Sequence, residues 1–172
     1  MANDEWQTPL YIVELARSAL GSIDLDPASS HEAQKTVRAG TYYTAKDNAL
    51  DKIWPTGSIW LNPPYSRPLC SQFVGKLCDH CATYIYAQAI LLVNNSTETK
   101  WFQRALGRCS AICFPSKRIS FLMDGKKGNG NKQGQALFFF GYSSYDFYCI
   151  FRKIGTVILS KNIWQNTLDF YY

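Results

Sequence analysis

No stretch of this 172-residue sequence is apolar for long enough to cross a membrane. The longest largely apolar run, Ala87 to Val93, has the length of a buried strand. No signal segment opens the chain, since Met1-Ala2-Asn3-Asp4-Glu5 is acidic and polar; this predicts an intracellular protein. There is no internal repeat. The glycine-rich stretch Asp124–Gly134 lacks a Gly-Lys-Ser/Thr ending, which removes the phosphate loop of nucleotide hydrolases. Six cysteines are present, and Cys78-Asp79-His80-Cys81 has the spacing of a zinc knuckle. A second pair is missing, because Cys109 and Cys113 lie in or beside an apolar strand. The sequence therefore reads as free thiols in a reducing compartment, with no metal. Charged residues are only 18% of the chain and aromatics reach 15%, which excludes a disordered protein and predicts one domain over residues 1–160 with a tail over 161–172.

What charge there is lies unevenly. The formal net charge is +5. Lys117, Arg118, Lys126, Lys127 and Lys132 cluster, whereas the acids concentrate before Asp51. Such polarity fits a basic face for phosphates and an acidic pocket elsewhere.

The chain is organised around Ile59-Trp60-Leu61-Asn62-Pro63-Pro64-Tyr65-Ser66. The apolar run Ser58–Leu61 reads as a buried parallel strand that stops at Asn62. Neither proline has an N–H to offer a neighbouring strand, and Pro64 forces Pro63 out of the helical region. A rigid loop results at the carboxyl end of a strand, where open α/β sheets bind ligands. It presents the amide of Asn62, two proline carbonyls and the ring of Tyr65. An exocyclic aromatic amine is a poor nucleophile, its lone pair being delocalised into the ring. The Asn62 side-chain oxygen and the Pro63 carbonyl can each accept one of its N–H groups and turn the nitrogen toward tetrahedral geometry. Tyr65 can stack on the ring; such stacking is worth about 1–3 kcal/mol. No strong base is needed if the leaving group is a thioether departing from a sulfonium.

Elsewhere the pattern alternates strands and helices, which predicts a mostly parallel α/β sheet. Leu10–Ala19 is amphipathic, with Thr8 as its expected N-cap and Pro9 at its first position. Ile23–Asp26 reads as a short strand in which Asp24 and Asp26 alternate; a carboxylate at its tip can bind an ammonium group. Gly40–Thr44 is a second strand, followed by a loop through Asp47. Pro68–Cys81 is a helix, Tyr84–Val93 a core strand, and Ser96 or Thr97 the cap of a helix ending at Leu106. Ser110–Phe114 and Gln135–Gly141 are strands. Tyr145–Lys153 is open between helix and strand, and Ile154–Leu159 reads as the last strand.

Asn62-Pro63-Pro64-Tyr65 resembles the catalytic loop of amino-group methyltransferases. Taken with Trp6-Gln7-Thr8-Pro9, Asp24-Leu25-Asp26-Pro27-Ala28 and the Phe-rich strand near Phe140, the chain resembles the small phage-type DNA adenine methyltransferases, the phage Dam family, from about Asp4 to about Ile158. That resemblance implies a Rossmann-like α/β methyltransferase fold: a seven-stranded, mostly parallel sheet with one antiparallel strand and helices on both faces. It implies S-adenosylmethionine as cofactor, bound by Trp6, Thr8, Pro9, Asp24, Asp26, Ala28, Tyr43, Asp47 and Asn62. In it Asp47 accepts from the cofactor's adenine amine and Tyr43 lies near its ribose. The catalytic residues would be Asn62, Pro63, Pro64 and Tyr65. The chain departs from the commoner cofactor motif, because Ser29-Ser30-His31 stands where Gly-x-Gly is usual.

The partner implied is DNA, with a target adenine flipped out of the duplex. Ser66, Lys117, Arg118, Lys126, Lys127 and Lys132 would contact it, within a DNA-contacting insertion over residues 116–135. The setting implied is the cytoplasm of a bacterium or phage-infected cell. Two other readings use the same residues: methylation of RNA adenine or of a protein glutamine, and a catalytically silent nucleic-acid binder that keeps the fold.

Overall fold

The computed structural model describes residues 6–123, 126–127 and 133–160. A first helix, α1 (Leu10–Leu20), leads into β1 (Leu25–Asp26), α2 (His31–Val37) and β2 (Thr41–Tyr42). Then come β3 (Ser58–Leu61), α3 (Leu69–Thr83), β4 (Gln88–Asn94), α4 (Lys100–Leu106) and β5 (Ala111–Pro115). A small hairpin, β6 (Leu122–Met123) with β7 (Lys126–Lys127), precedes β8 (Gln135–Phe140), α5 (Tyr145–Phe151) and β9 (Gly155–Leu159).

Seven strands form one sheet in the order β2-β1-β3-β4-β8-β5-β9. Neighbours among β2, β1, β3 and β4 are parallel. Strand β8 runs antiparallel to both β4 and β5, and β9 antiparallel to β5. The sheet is thus mostly parallel, with two reversed strands rather than one: after β8, the short helix α5 returns the chain to the outer edge of β5.

Side chains alternate strictly between the two faces of the central strands. Ile59, Leu61, Ala89, Leu91, Val93, Phe138 and Phe140 pack with Phe73, Val74 and Leu77 of α3 and Phe102 of α4. Trp60, Ile90, Leu92, Leu137 and Phe139 pack on the other face with Ile12, Val13 and Ala16 of α1 and Phe147 and Phe151 of α5. Burial on both faces explains why these strands read as unbroken apolar runs rather than as alternating ones. Helix, not strand, is the outcome for α5. Phe147 and Phe151, four residues apart, stack at 4.4 Å between ring centroids, and Phe147 stacks on Phe139 at 5.3 Å, so the aromatic spacing answers to one helical face.

Two helix starts differ from expectation. Pro9 is the N-cap of α1 and no side chain caps it; the Thr8 hydroxyl is engaged elsewhere. Thr99, not Ser96 or Thr97, caps α4, its hydroxyl accepting from Phe102 N at 3.3 Å. The short helix α2 is capped by Ser30, which accepts from Ala33 N at 3.1 Å. Among the described residues no helix is long and apolar enough to cross a membrane. The six cysteines are free thiols, and no group of three His, Cys, Asp or Glu side chains among the described residues could hold a metal ion. The tail over 161–172 and Lys132 lie outside the described residues.

Candidate active site

From β1 the chain crosses to β2 on one side, whereas β3 lies on the other side of β1. The loops leaving the carboxyl ends of β1 and β3 therefore diverge, and a crevice opens at this switch point. A cavity of about 630 Å³ occupies it. Asp26 ends β1, Asn62 follows β3, and both line the cavity with Trp6, Gln7, Thr8, Ala28 and Pro64. Leu25 pairs with Ile59, which sets the two strand tips side by side.

Asp26 is only 2% exposed. Its Oδ1 accepts from Ala28 N at 3.3 Å and its Oδ2 from Gln34 Nε2 at 2.9 Å. Burial pushes its pKa up to about 7, against the lowering effect of Ser29, Ala28 and Gln34. This is a desolvated acceptor facing the cavity, with no cation paired to it among the described residues.

At the other strand tip, the Tyr65 hydroxyl donates to Asn62 Oδ1 at 3.0 Å, and Asn62 Nδ2 donates to Thr8 Oγ1 at 3.3 Å. Tyr65 is partly buried as a residue, and burial of its phenol raises the pKa. It meets Phe121 edge-on, with centroids 6.4 Å apart. Neither Pro63 nor Tyr65 lines the cavity itself, and Pro63 is buried.

Several residues singled out in the sequence lie outside the lining. Pro9 spends its carbonyl on the first turn of α1. The Asp24 carboxylate accepts from Ser58 N and Ser58 Oγ, both at 2.9 Å, and from Ser22 Oγ at 2.8 Å; the Ser58 amide, first among these contacts, lowers its pKa. It fastens β1 to the start of β3. Tyr43 donates its backbone N–H to the Asp26 carbonyl at 3.0 Å and accepts from Ser29 N at 2.8 Å. Asp47 closes a turn, accepting from Thr44 N and Thr44 Oγ1, both at 2.7 Å, and its pKa is lowered chiefly by that hydroxyl. The turn itself places Thr44, Ala45, Lys46 and Asn48 on the cavity wall. Asn94 and Asn95, at the tip of β4, do not line it.

Other lining residues carried no signal as site residues. Leu69 and Phe73 of α3, with Ala49 and Leu50, make an apolar wall, and such residues are indistinguishable from core in a sequence. Ser29, Ser30 and His31, which stand where a Gly-x-Gly is usual, line it as well. Gln34 was not foreseen at all. Besides Asp26 it donates to Ser29 Oγ at 2.8 Å, and its oxygen accepts from Ala39 N at 2.9 Å, so it ties α2, the tip of β1 and the approach to β2 together.

The candidate DNA contacts divide. Strand β5 is parallel to β4, so Lys117 and Arg118, exposed just after it, leave from the same edge of the sheet as Asp26 and Asn62. Ser66 is partly buried, and its carbonyl accepts from Cys70 N at 3.2 Å. Lys126 and Lys127 form β7.

A mostly parallel seven-stranded sheet, clad by helices and opened at its switch point beside Asn-Pro-Pro-Tyr, is a Rossmann-like α/β methyltransferase fold. The chain belongs to the DNA N-6-adenine-methyltransferase (Dam) family, whose family model matches residues 1–157. It is similar to a protein of Escherichia phage T1 named DNA N-6-adenine-methyltransferase, with 29% identity over 153 residues, covering 78% of this chain and 61% of that protein. A protein of the same name from Haemophilus phage HP1 (strain HP1c1) is 26% identical over 141 residues, covering 80% of this chain and 78% of that one. This chain thus spans about three-fifths of the T1 protein's length. No solved structure matches it at a significant level.

Proposed function

We propose that this protein transfers the methyl group of S-adenosylmethionine to the exocyclic N6 amine of adenine in DNA. The observation that carries the reading is the single cavity shared by the buried Asp26 carboxylate and the Asn62 amide. Asp26 is the group the cofactor's ammonium would meet: a buried acceptor with no cation paired to it among the described residues. Trp6, Ala28 and the turn through Thr44–Leu50 supply walls for the remainder. When bound, the cofactor provides an activated methyl group on a positively charged sulfur.

The chain's own contribution is positional and electrostatic. Asn62 Oδ1, on the cavity wall, accepts one N–H of the amine, and the Pro63 carbonyl, next to that wall rather than in it, would accept the other, aiming the lone pair into the cavity. Oδ1 has two lone pairs, and the Tyr65 hydroxyl uses one of them. Tyr65, beside the cavity and edge-on to Phe121, would stack on the base. A paired adenine cannot reach this depth, so the base is flipped out of the helix. Lys117 and Arg118 leave that edge of the sheet, the β6–β7 hairpin is bonded to Gln7 of the cavity lining, and together they would meet the phosphates.

The test is tritiated-methyl transfer from S-adenosylmethionine to adenine-containing DNA, to RNA and to protein in parallel. Label appearing as N6-methyladenine in DNA is expected. Label only in RNA or protein, or no cofactor binding by calorimetry, would overturn the reading.

A further inference from the structure

The hairpin that carries the basic run is fastened to both partners of the Asn62 amide. Gln7 and Leu122 exchange two backbone hydrogen bonds, each 2.9 Å long, which join β6 to the segment ahead of α1. One residue further on, Thr8 accepts from Asn62 Nδ2 at 3.3 Å. Thr8 is 6% exposed, so water does not compete freely for that bond. On the opposite side of the amide stands Tyr65, whose ring lies edge-on to Phe121. Phe121 is 5% exposed and directly precedes Leu122. Two consecutive residues at the foot of the hairpin thus reach Asn62 by two routes.

The last torsion of an asparagine side chain is broad and roughly two-fold, so its oxygen and nitrogen exchange places unless partners choose between them. Accepting an amine N–H requires the oxygen; the reversed amide would offer donors to a donor. A hydroxyl can donate as well as accept, so the choice rests on the pair: the Tyr65 phenol, the better donor, stands on the oxygen side and the Thr8 hydroxyl accepts on the nitrogen side. We propose that Thr8 is a positioning residue, which holds the Asn62 amide with its oxygen available to the substrate amine, and that Phe121 and Leu122 tie the placement of the basic hairpin to that amide. The proposal rests on the methyl-transfer reading for the identity of the substrate. The hydrogen-bond arrangement itself can be tested without it.

The experiment compares the full chain with Thr8→Val, which keeps the shape and removes the acceptor, with Thr8→Ser, which restores it, and with Phe121→Leu. The side-chain NH₂ pair of Asn62, assigned by its loss in Asn62→Asp, is followed by ¹⁵N-resolved NMR. It is expected to shift in Thr8→Val and Phe121→Leu and to return in Thr8→Ser. In methyl transfer, Thr8→Val is expected to lower kcat about 10- to 100-fold, the scale of a misplaced reacting group. Because Thr8 also lines the cavity, Kd for S-adenosylmethionine is measured separately from kcat, and at saturating cofactor Thr8→Ser should recover kcat to within about 3-fold. An unmoved NH₂ pair in Thr8→Val, or a raised Kd with kcat retained, would overturn the role of Thr8. An unmoved pair in Phe121→Leu would overturn the link to the hairpin. Absence of methyl transfer by the unaltered protein would instead remove the reading of the substrate, and the NMR comparison would still decide the arrangement.

Discussion

The side-chain nitrogen of Gln34 lies 2.9 Å from Asp26 Oδ2, and with the Ser29 hydroxyl it gives this carboxylate neutral side-chain donors only. A neutral partner lowers the carboxyl pKa far less than a cation would, which is why burial wins and the pKa rises to about 7. A raised carboxyl pKa means that the ionised form is the costly one in the fold. This side chain's contribution to stability is complete below about pH 4 and is lost as the pH rises through about 7.

A cationic ligand reverses that preference, since it binds the ionised form. Affinity for S-adenosylmethionine is expected to fall by about tenfold per pH unit below pH 7, where binding must expel a proton from Asp26. Calorimetry between pH 5.5 and pH 7, in two buffers of different ionisation heat, measures both the slope and the proton released. A flat profile with no proton release would separate Asp26 from the cofactor.

Asn62→Ala removes the side-chain acceptor while Pro63, Pro64 and the β3 strand beneath them remain. Methyl transfer is expected to drop by about 100- to 1000-fold, comparable to loss of one preorganised electrostatic partner in other active sites. The folded state should be retained, as a thermal melt can verify. Undiminished transfer would remove Asn62 from the reaction.

Lys76 of α3 donates to three carbonyls of one turn: Ala49 at 3.1 Å, Leu50 at 2.7 Å and Lys52 at 2.5 Å. Trp54 Nε1 shares the Ala49 carbonyl at 2.9 Å, and the Lys76 ammonium lies 5.1 Å from a Trp54 ring centroid. Ala49 and Leu50 are cavity wall, so this ammonium pins the wall to the helix. Lys76→Met keeps the stem and loses the donors. It is expected to cost about 1–2 kcal/mol in a urea titration, because the freed carbonyls regain only part of their hydration. An unchanged midpoint would show that the turn holds without it.

Gly155 opens β9, where a Cβ would stand 2.1 Å from the Phe114 carbonyl oxygen and 2.6 Å from Pro115 Cα. Both are backbone atoms of β5 and cannot rotate away. Gly155→Ala is expected to destabilise the protein by about 1–3 kcal/mol through overpacking, measured by denaturant unfolding. Gly134→Ala, whose nearest contact would be Asn95 Cβ at 3.9 Å, serves as the permissive control.

The sequence by itself determined the layered α/β plan, because apolar periodicity is a local property. Strand β3 was legible to the residue, and so was the rigid bend after it, since two prolines restrict the backbone whatever surrounds them. What no local pattern contains is which strands become neighbours. Only the tertiary structure put the tips of β1 and β3 together, reversed β9 as well as β8, and turned α5 into a helix against Phe139. The same holds for the site. Asp26 and Asn62 stood out as chemistry in the sequence, but their shared cavity depends on a crossover between strands. Gln34, Lys76 and the bond from Asn62 to Thr8 depend on chain segments 8, 24–27 and 54 residues apart in the sequence. Such contacts exist only once burial has brought those segments together, and burial is a property of the whole packed chain.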